Sequence, residues 1–216
     1  MAKPQKTITV LIADDHEMTR KGIRGFLEQA QDMQIVGEAQ DGDEIKRLVA
    51  KLRPQMLLLD LIMPKLSPAE LEKWARENYP ETITLILTAH DRDAYLASMM
   101  EAGAAGYLDK KMRAGDLISS IRRAARGEFL FDKKQLERAR RWREAVSGKW
   151  ESLSKREREV LQMLTEGADN NAIAASLEIT INTVEKHLKN IYRKLGVSSR
   201  SEAICWWLEK GTDFRN

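Results

Sequence analysis

The sequence predicts an α/β domain built on a doubly wound, five-stranded parallel sheet, followed by a smaller all-α domain. Up to about residue 125, short apolar runs alternate with helical patterns, which is typical of repeated βα units. The last third contains three segments that begin with a helix-capping residue and continue with apolar residues at helical spacing. We therefore expect two domains and a connector, with boundaries at residues 7–125, 126–150 and 151–216.

The composition is typical of a soluble intracellular protein. The apolar fraction is 43%, and no apolar stretch approaches the roughly 20 residues that a membrane span requires. Residues 1–6 lack the apolar segment of a secretory signal, so we expect a cytoplasmic protein that does not associate with membranes. Cys205 is the single cysteine of the chain, which excludes an intrachain disulfide.

Five strands and five helices are predicted in the first domain. The strands lie near residues 7–13, 34–39, 56–59, 83–88 and 105–108, and the helices near 18–30, 43–52, 68–78, 92–102 and 113–126. Right-handed crossovers bring the carboxyl ends of all the strands to one rim of the sheet, where ligands bind in such folds.

Polar side chains follow four of these strands. Asp14 and Asp15 follow the first strand, and Asp60 follows the third. Thr88 ends the fourth strand and Lys110 follows the fifth. Because carboxylates at one rim repel one another, the cluster predicts a hard cation and a phosphoryl group at this site.

We expect a separate task for each of these groups. Asp14 and Asp15 would hold Mg2+, and Asp60 would be the nucleophile that forms an acyl phosphate. Lys110 would neutralise the phosphoryl oxygens, while Thr88 would donate a hydrogen bond to them. Taken singly, each residue has an ordinary alternative as a helix cap, a strand end or a surface lysine. Their joint occurrence at successive strand ends favours the phosphoryl site.

Four motifs surround these residues: Asp14-Asp15-His16, Leu58-Leu59-Asp60-Leu61-Ile62-Met63-Pro64, Leu87-Thr88-Ala89 and Ala105-Gly106-Tyr107-Leu108-Asp109-Lys110. With them, residues 7 to about 125 resemble the receiver domain of bacterial two-component response regulators. The resemblance implies that Asp60 accepts a phosphoryl group from a phosphohistidine on a sensor histidine kinase. It also implies that Thr88 and Tyr107 move on phosphorylation and supply the two-state element of a switch. The implied Mg2+ ligands are Asp14, Asp15, Asp60 and the backbone carbonyl of Ile62.

Three further expectations concern the neighbours of these motifs. His16 is not expected to be a ligand, because imidazole is a poor match for Mg2+. Ser67-Pro68 replaces the acidic residue and glycine usual in receivers, so we expect a stiffer, displaced loop. Lys111 replaces the proline common after the lysine that Lys110 matches; a cis bond there would cost about 3 kcal/mol, so we expect a trans bond.

The connector is strongly basic. Residues 122–149 contain 10 Lys or Arg and 4 Asp or Glu. Asp132 is a candidate cap, and residues 132–147 contain neither Pro nor Gly, which predicts a helix. A solvated basic helix is the favoured interpretation. The alternative is that its arginines, including Arg138, Arg140, Arg141 and Arg143, contact DNA phosphates.

Capping residues predict three helices in the second domain. Ser154 and Glu157 form a capping box, and Asp169 and Thr180 can cap the next two helices. The third helix, running to about Leu195, has an apolar face and a basic face. The apolar face contains Val184, Leu188, Ile191 and Leu195, and the basic face contains Asn182, Lys186, Lys189 and Arg193. Two short helices before a longer one indicate a helix-turn-helix whose third helix enters the major groove, although a solvated basic face is the simpler alternative.

Residues 153–206 resemble the LuxR-type effector domain of the NarL/FixJ subfamily of response regulators. The matching segments are residues 153–161, 183–187 and 190–197. The resemblance implies a four-helix domain that binds promoter DNA and dimerises through its last helix. We expect Asn182, Thr183, Lys186, Lys189 and Arg193 to contact DNA. Glu185 departs from the lysine of many members, which leaves the target sequence open.

Trp206 is predicted to point outward from the last helix, opposite Ile204, and to form a homodimer contact. The alternative is that this ring lies over the connector or the first domain.

The predicted function is a transcriptional regulator switched by phosphorylation of Asp60, with RNA polymerase as a further partner. It would catalyse only its own phosphoryl transfer and dephosphorylation. An aspartyl phosphatase is disfavoured, because such enzymes generally place a second aspartate where this chain has Ile62. A phosphorylation-independent regulator stays open, whereas an autoinducer sensor would need a different N-terminal domain.

Overall fold

The computed structural model describes residues 7–210, with side chains to residue 207. The chain divides into two compact units, and the boundary falls between Ala139 and Arg140. In the first unit, five parallel strands form one sheet in the order β2-β1-β3-β4-β5. The predicted sheet and its topology are confirmed. Its elements are β1 (Ile8–Ala13), α1 (Glu17–Leu27), β2 (Met33–Ala39), α2 (Gly42–Leu52), β3 (Met56–Leu59), α3 (Pro68–Asn78), β4 (Ile83–Thr88), α4 (Asp93–Ala102), β5 (Gly106–Asp109) and α5 (Ala114–Ala125).

The centre of the sheet is buried on both faces, which explains why β3 is apolar without interruption. Leu57, Leu58 and Leu59 of β3 are each at most 1% exposed. Alternate residues of a strand point to opposite faces, so α1 and α5 pack on the face that holds Leu58, and α2, α3 and α4 form the other layer. The strand order reverses between β1 and β3, and that reversal is where ligands bind in this topology.

The loop after β3 is held against the start of α2. The Gly42 amide donates to the Pro64 carbonyl at 3.0 Å, and a Cβ on Gly42 would lie 2.1 Å from the Lys65 carbonyl oxygen. Lys65 has a φ of 54°, in the left-handed region that L residues rarely adopt. Because a Cβ at position 42 would collide with the Lys65 carbonyl oxygen, only glycine fits there. The expected trans bond between Lys110 and Lys111 is also present.

Helix α6 (Lys133–Ser152) begins in the first unit and ends in the second. Asp132 caps it as predicted, since its carboxylate accepts from the Gln135 amide at 2.8 Å. The second unit continues with α7 (Lys155–Thr165), α8 (Asn170–Ser176), α9 (Ile181–Leu195) and α10 (Arg200–Lys210). The caps predicted at Ser154, Asp169 and Thr180 are all formed.

The prediction that Trp206 points outward is wrong. Its side chain is 5% exposed and belongs to the core of the second unit, together with Trp207. The end of α6 adds Val146 and Trp150 to this core, and the rings of Trp150 and Trp207 lie 5.0 Å apart. Because α6 widens the apolar surface on which α10 packs, two adjacent positions of that helix are both covered. Within residues 7–210, no helix is long and apolar enough to cross a membrane.

Candidate functional site

The carboxyl ends of β1 and β3 bring Asp14 and Asp60 side by side. The Asp60 amide donates to the Ala13 carbonyl at 2.9 Å, which extends the pairing of the two strands by one residue. Both carboxylates are almost fully buried, with Asp14 1% and Asp60 4% exposed. One oxygen of Asp60 accepts from the Leu61 amide at 2.8 Å, so its orientation is fixed by its own backbone. Buried carboxylates of this kind need a compensating positive charge.

Lys110 supplies that charge from the end of β5. Its Nζ lies 2.6 Å from an oxygen of Asp60 and 2.6 Å from an oxygen of Asp14. Its backbone amide donates to the Thr88 carbonyl at 3.0 Å, which places the lysine beside the end of β4. Burial alone would lower the pKa of Lys110, but the hydrogen bonds to Asp14 and Asp60 outweigh it, and the pKa lies above its ordinary value. The amine therefore stays charged at neutral pH.

The acidic cluster has the donor chemistry that a divalent cation needs. Ligand atoms of Asp14, Asp15, His16 and Asp60 all lie within 4.8 Å of one another. Three of the four residues offer carboxylate oxygens, which are the donors that Mg2+ prefers. The fourth, His16, was not predicted as a ligand, yet its Nδ1 lies 2.7 Å from an Asp15 oxygen. Its amide donates to Asp14 at 2.8 Å, so His16 orders the two acids from its position before α1.

Thr88 and Tyr107 are joined through the loop after β4. The buried Thr88 hydroxyl accepts from the His90 amide at 3.2 Å, and the Tyr107 hydroxyl donates to the His90 carbonyl at 2.6 Å. Burial raises the pKa of Tyr107, and the nearby Asp91 carboxylate raises it further. The Tyr107 hydroxyl therefore stays protonated and can donate its hydrogen bond to the His90 carbonyl. One peptide segment thus connects both residues that the sequence predicts to move.

Three residues near this site were not predicted to act there. Arg20 donates to the Asp14 carbonyl at 2.7 Å, and Gln135 donates to the Tyr107 carbonyl at 2.9 Å. Arg138 was grouped with solvated or DNA-contacting arginines, but it pairs with Asp91 and Asp93. No local sequence signal identifies these contacts, because all three depend on how elements pack rather than on spacing within one element.

The second unit presents the basic face of α9 to solvent. Asn182, Lys186, Lys189 and Arg193 are all exposed, while Val184, Leu188, Ile191 and Leu195 are buried, as the two-faced pattern predicts. Thr183 lies at the start of the helix, where its hydroxyl is 2.9 Å from that of Thr180. Glu185 is exposed on the same helix. An amphipathic third helix with a free basic face is the arrangement that helix-turn-helix proteins place in the major groove.

A receiver-like sheet with a lysine-bridged acid pocket, followed by a helical unit with an exposed basic helix, defines the class of response regulators that bind DNA. The family model of the response regulator receiver domain matches residues 10–122. The model of bacterial regulatory proteins of the luxR family matches residues 151–207. The chain belongs to the two-component response regulators, of the type that joins a receiver to a LuxR-type domain.

Relatives agree with this assignment along almost the whole chain. The response regulator protein VraR of Staphylococcus aureus is 34% identical over 200 residues, which is 93% of this chain and 96% of VraR. The RcsB response regulator of Salmonella typhimurium is similar in structure, with a TM-score of 0.65 and 26% identity over 93% of this chain and 98% of RcsB. RcsB from Salmonella enterica serovar Typhimurium bound to a promoter in the presence of phosphomimetic BeF3- gives a TM-score of 0.66 and 27% identity, covering 94% and 99% of the two chains. This chain is accordingly a phosphorylation-dependent transcriptional regulator.

Proposed function

We propose that Asp60 is the phosphoryl acceptor of this regulator. The observation that carries the proposal is the bridge from Lys110 to both Asp14 and Asp60, at 2.6 Å each. An Asp60 oxygen would attack the phosphorus of a phosphohistidine on a sensor histidine kinase, and the bond from phosphorus to the imidazole nitrogen would break. The ammonium group of Lys110 would then neutralise part of the negative charge on the phosphoryl oxygens. Thr88, at the neighbouring strand end, would donate its hydroxyl to one of them.

We propose Mg2+ as the cation of the acidic cluster, held by Asp14, Asp15, Asp60 and the backbone carbonyl of Ile62. When bound, it would supply the positive charge that lets a carboxylate approach an anionic phosphoryl group. The oxygen-rich donor set supports this choice over a softer metal. Tyr107 and Thr88 would be the moving parts of the switch, since both are bonded to His90. We further propose that the chain catalyses only its own phosphoryl transfer and dephosphorylation, because Ile62 occupies the position where an aspartyl phosphatase generally has a second aspartate.

The output is binding of promoter DNA through α9. We propose contacts from Asn182, Thr183, Lys186, Lys189 and Arg193, with the exposed side chains of the basic face reaching bases and phosphates. A homodimer would place two such helices on paired half-sites in the cytoplasm, with RNA polymerase as a further partner. The dimer contact cannot be the Trp206 ring of the folded unit, because that ring is part of the core.

Binding of genomic DNA fragments with and without acetyl phosphate and Mg2+ tests the whole proposal. We expect both additions together to tighten binding by the wild-type chain. DNA binding by Asp60→Ala should not change when they are added, because this variant lacks the carboxylate that would be phosphorylated. Equal binding of the wild-type chain in all conditions would contradict phosphorylation control at Asp60. Lys186→Ala and Lys189→Ala should weaken DNA binding whether or not the chain is phosphorylated.

A further inference from the structure

The first two turns of α6 hold the loop that follows β4. Arg138 donates from Nε to Asp93 at 2.8 Å and from its two terminal nitrogens to both oxygens of Asp91, at 2.9 and 2.8 Å. A planar guanidinium that engages two carboxylates in this way fixes their direction as well as their charge. All three residues lie in the first unit, so the contact is internal to it.

A second side chain of α6 holds the neighbouring strand. Gln135 donates from its amide to the Tyr107 carbonyl at 2.9 Å, and its own backbone amide is fixed by the cap at Asp132. Gln135 and Arg138 are three residues apart, so they project from the same side of the helix. One face of α6 therefore contacts β5 at Tyr107 and the loop after β4 at Asp91.

The contact between Arg138 and Asp91 lies one residue from His90, which is hydrogen-bonded to both side chains that are proposed to move on phosphorylation. His90 precedes Asp91, its amide donates to the Thr88 hydroxyl, and its carbonyl accepts from Tyr107. Any movement of Thr88 towards a phosphoryl group on Asp60 must carry His90 with it or lengthen the bond between them. A guanidinium that holds Asp91 and Asp93 resists that movement.

We infer that Arg138 and Gln135 are positioning residues for the chemistry of Asp60, because they hold the Thr88 loop in the arrangement that precedes phosphorylation. The inference rests on the proposed role of Asp60 as acceptor. The start of α6 then opposes phosphorylation, and phosphorylation in turn loosens the start of α6, since coupling between two sites is reciprocal. This role differs from that of Lys110, which touches the reacting carboxylate itself.

Release of the contact should accelerate phosphorylation of Asp60. Asp91 and Asp93 are substantially exposed, so the restraint is modest, and we expect Arg138→Ala to raise the rate about two- to fivefold. Asp91→Asn combined with Asp93→Asn should raise it by the same factor. The triple variant should be no faster than either, because all three changes remove one restraint. Arg138→Lys should fall in between, since it keeps the charge and loses the planar geometry.

The measurement uses the full chain with Mg2+ and phosphoramidate as a small donor, and intact mass gives the phosphorylated fraction over time. Arg47→Ala is the matched control, because it removes a surface ion pair with Glu44 on the same helix, α2. We expect the control to react like wild type. The inference is overturned if Arg138→Ala also reacts at the wild-type rate, or if the effects of the arginine and aspartate changes add.

Asp60→Ala separates this inference from the function on which it rests. If the wild-type chain is phosphorylated and Asp60→Ala is not, the acceptor role holds, and the Arg138 series alone decides the inference. If Asp60→Ala is phosphorylated as readily as wild type, the acceptor role fails and the inference falls with it. Unchanged hydrogen exchange in β1 and β3 of Arg138→Ala would exclude general loosening of the unit as the cause of a faster reaction.

Discussion

Replacing Lys110 with methionine removes the ammonium group that lies between Asp14 and Asp60. The methionine stem preserves most of the packing, but two hydrogen bonds of 2.6 Å to buried carboxylates are lost. Each charge-assisted bond contributes about 1.5–3 kcal/mol, and breaking a buried ion pair costs about 3–5 kcal/mol because a charge is left without compensation. We expect the free energy of unfolding of the first unit to fall by about 3 kcal/mol when divalent cations are absent.

Mg2+ should offset this loss, because the carboxylates that Lys110 leaves behind are the proposed metal ligands. Without a neighbouring ammonium group, the cation meets less repulsion, so Lys110→Met should bind Mg2+ more tightly than wild type does. At a concentration 100 times the dissociation constant, bound Mg2+ would stabilise the unit by about 2.7 kcal/mol. The variant should therefore approach wild-type stability in Mg2+ while remaining impaired as a phosphoryl acceptor.

Hydrogen exchange of the β1 and β3 amides, followed by mass spectrometry across a Mg2+ titration, measures both effects in the first unit alone. Lys111→Met is the matched control, since it removes the adjacent, exposed lysine. If the two variants exchange alike without Mg2+, the central role of the Lys110 bridge is refuted. If Mg2+ slows exchange in neither variant, the cation does not bind at this cluster.

Three further outcomes are expected in the second unit. Burial alone would raise the pKa of Glu157, but hydrogen bonds from Lys194 and the Ser154 amide outweigh it and hold the pKa below its ordinary value. The ionised Glu157 carboxylate therefore contributes fully to the stability of the unit above about pH 4.3, and this contribution is lost as pH falls through the lowered pKa. Glu157→Gln should thus destabilise the unit at pH 7 and flatten its acid unfolding curve in denaturant titrations; an unchanged curve would contradict this linkage. Lys186→Ala should reduce the slope of log affinity against log salt by about 1 if the lysine contacts a phosphate, and an unchanged slope would mean that it does not. Trp206→Ala should cost about 3–5 kcal/mol in the free energy of unfolding because the ring is buried, and a loss below about 1 kcal/mol would contradict its place in the core.

The acid pocket was predictable because its residues follow strands that can be recognised in the sequence as apolar runs. Asp14 and Asp60 each end an uninterrupted apolar run, and a parallel sheet has one rim to which such ends can point. The order of the strands then places the two acids side by side. The short distances from the Lys110 amine to the Asp14 and Asp60 carboxylates depend on the pairing of β4 with β5, which the spacing of residues along the sequence does not give. The chemical role of each residue stays a prediction until it is measured.

The contacts of α6 were not predictable from the same patterns. Arg138 is separated from Asp91 by 47 residues and from Asp93 by 45, and nothing in its own helix marks it as different from neighbouring arginines. Trp206 was misplaced for a related reason. A helical wheel shows which residues share a face, but it cannot show that a second helix, α6, covers the adjacent face as well.

The tryptophan-rich core of the second unit determines what intrinsic fluorescence can report. Of the 5 tryptophans in the chain, Trp142, Trp150, Trp206 and Trp207 all lie after residue 140, and Trp74 on α3 is the one that lies before it. Emission from the whole chain is therefore dominated by the DNA-binding unit. A fluorescence melt will follow the unfolding of that unit closely and leave events at Asp60 nearly silent, so a probe placed in the receiver is required to observe the switch optically.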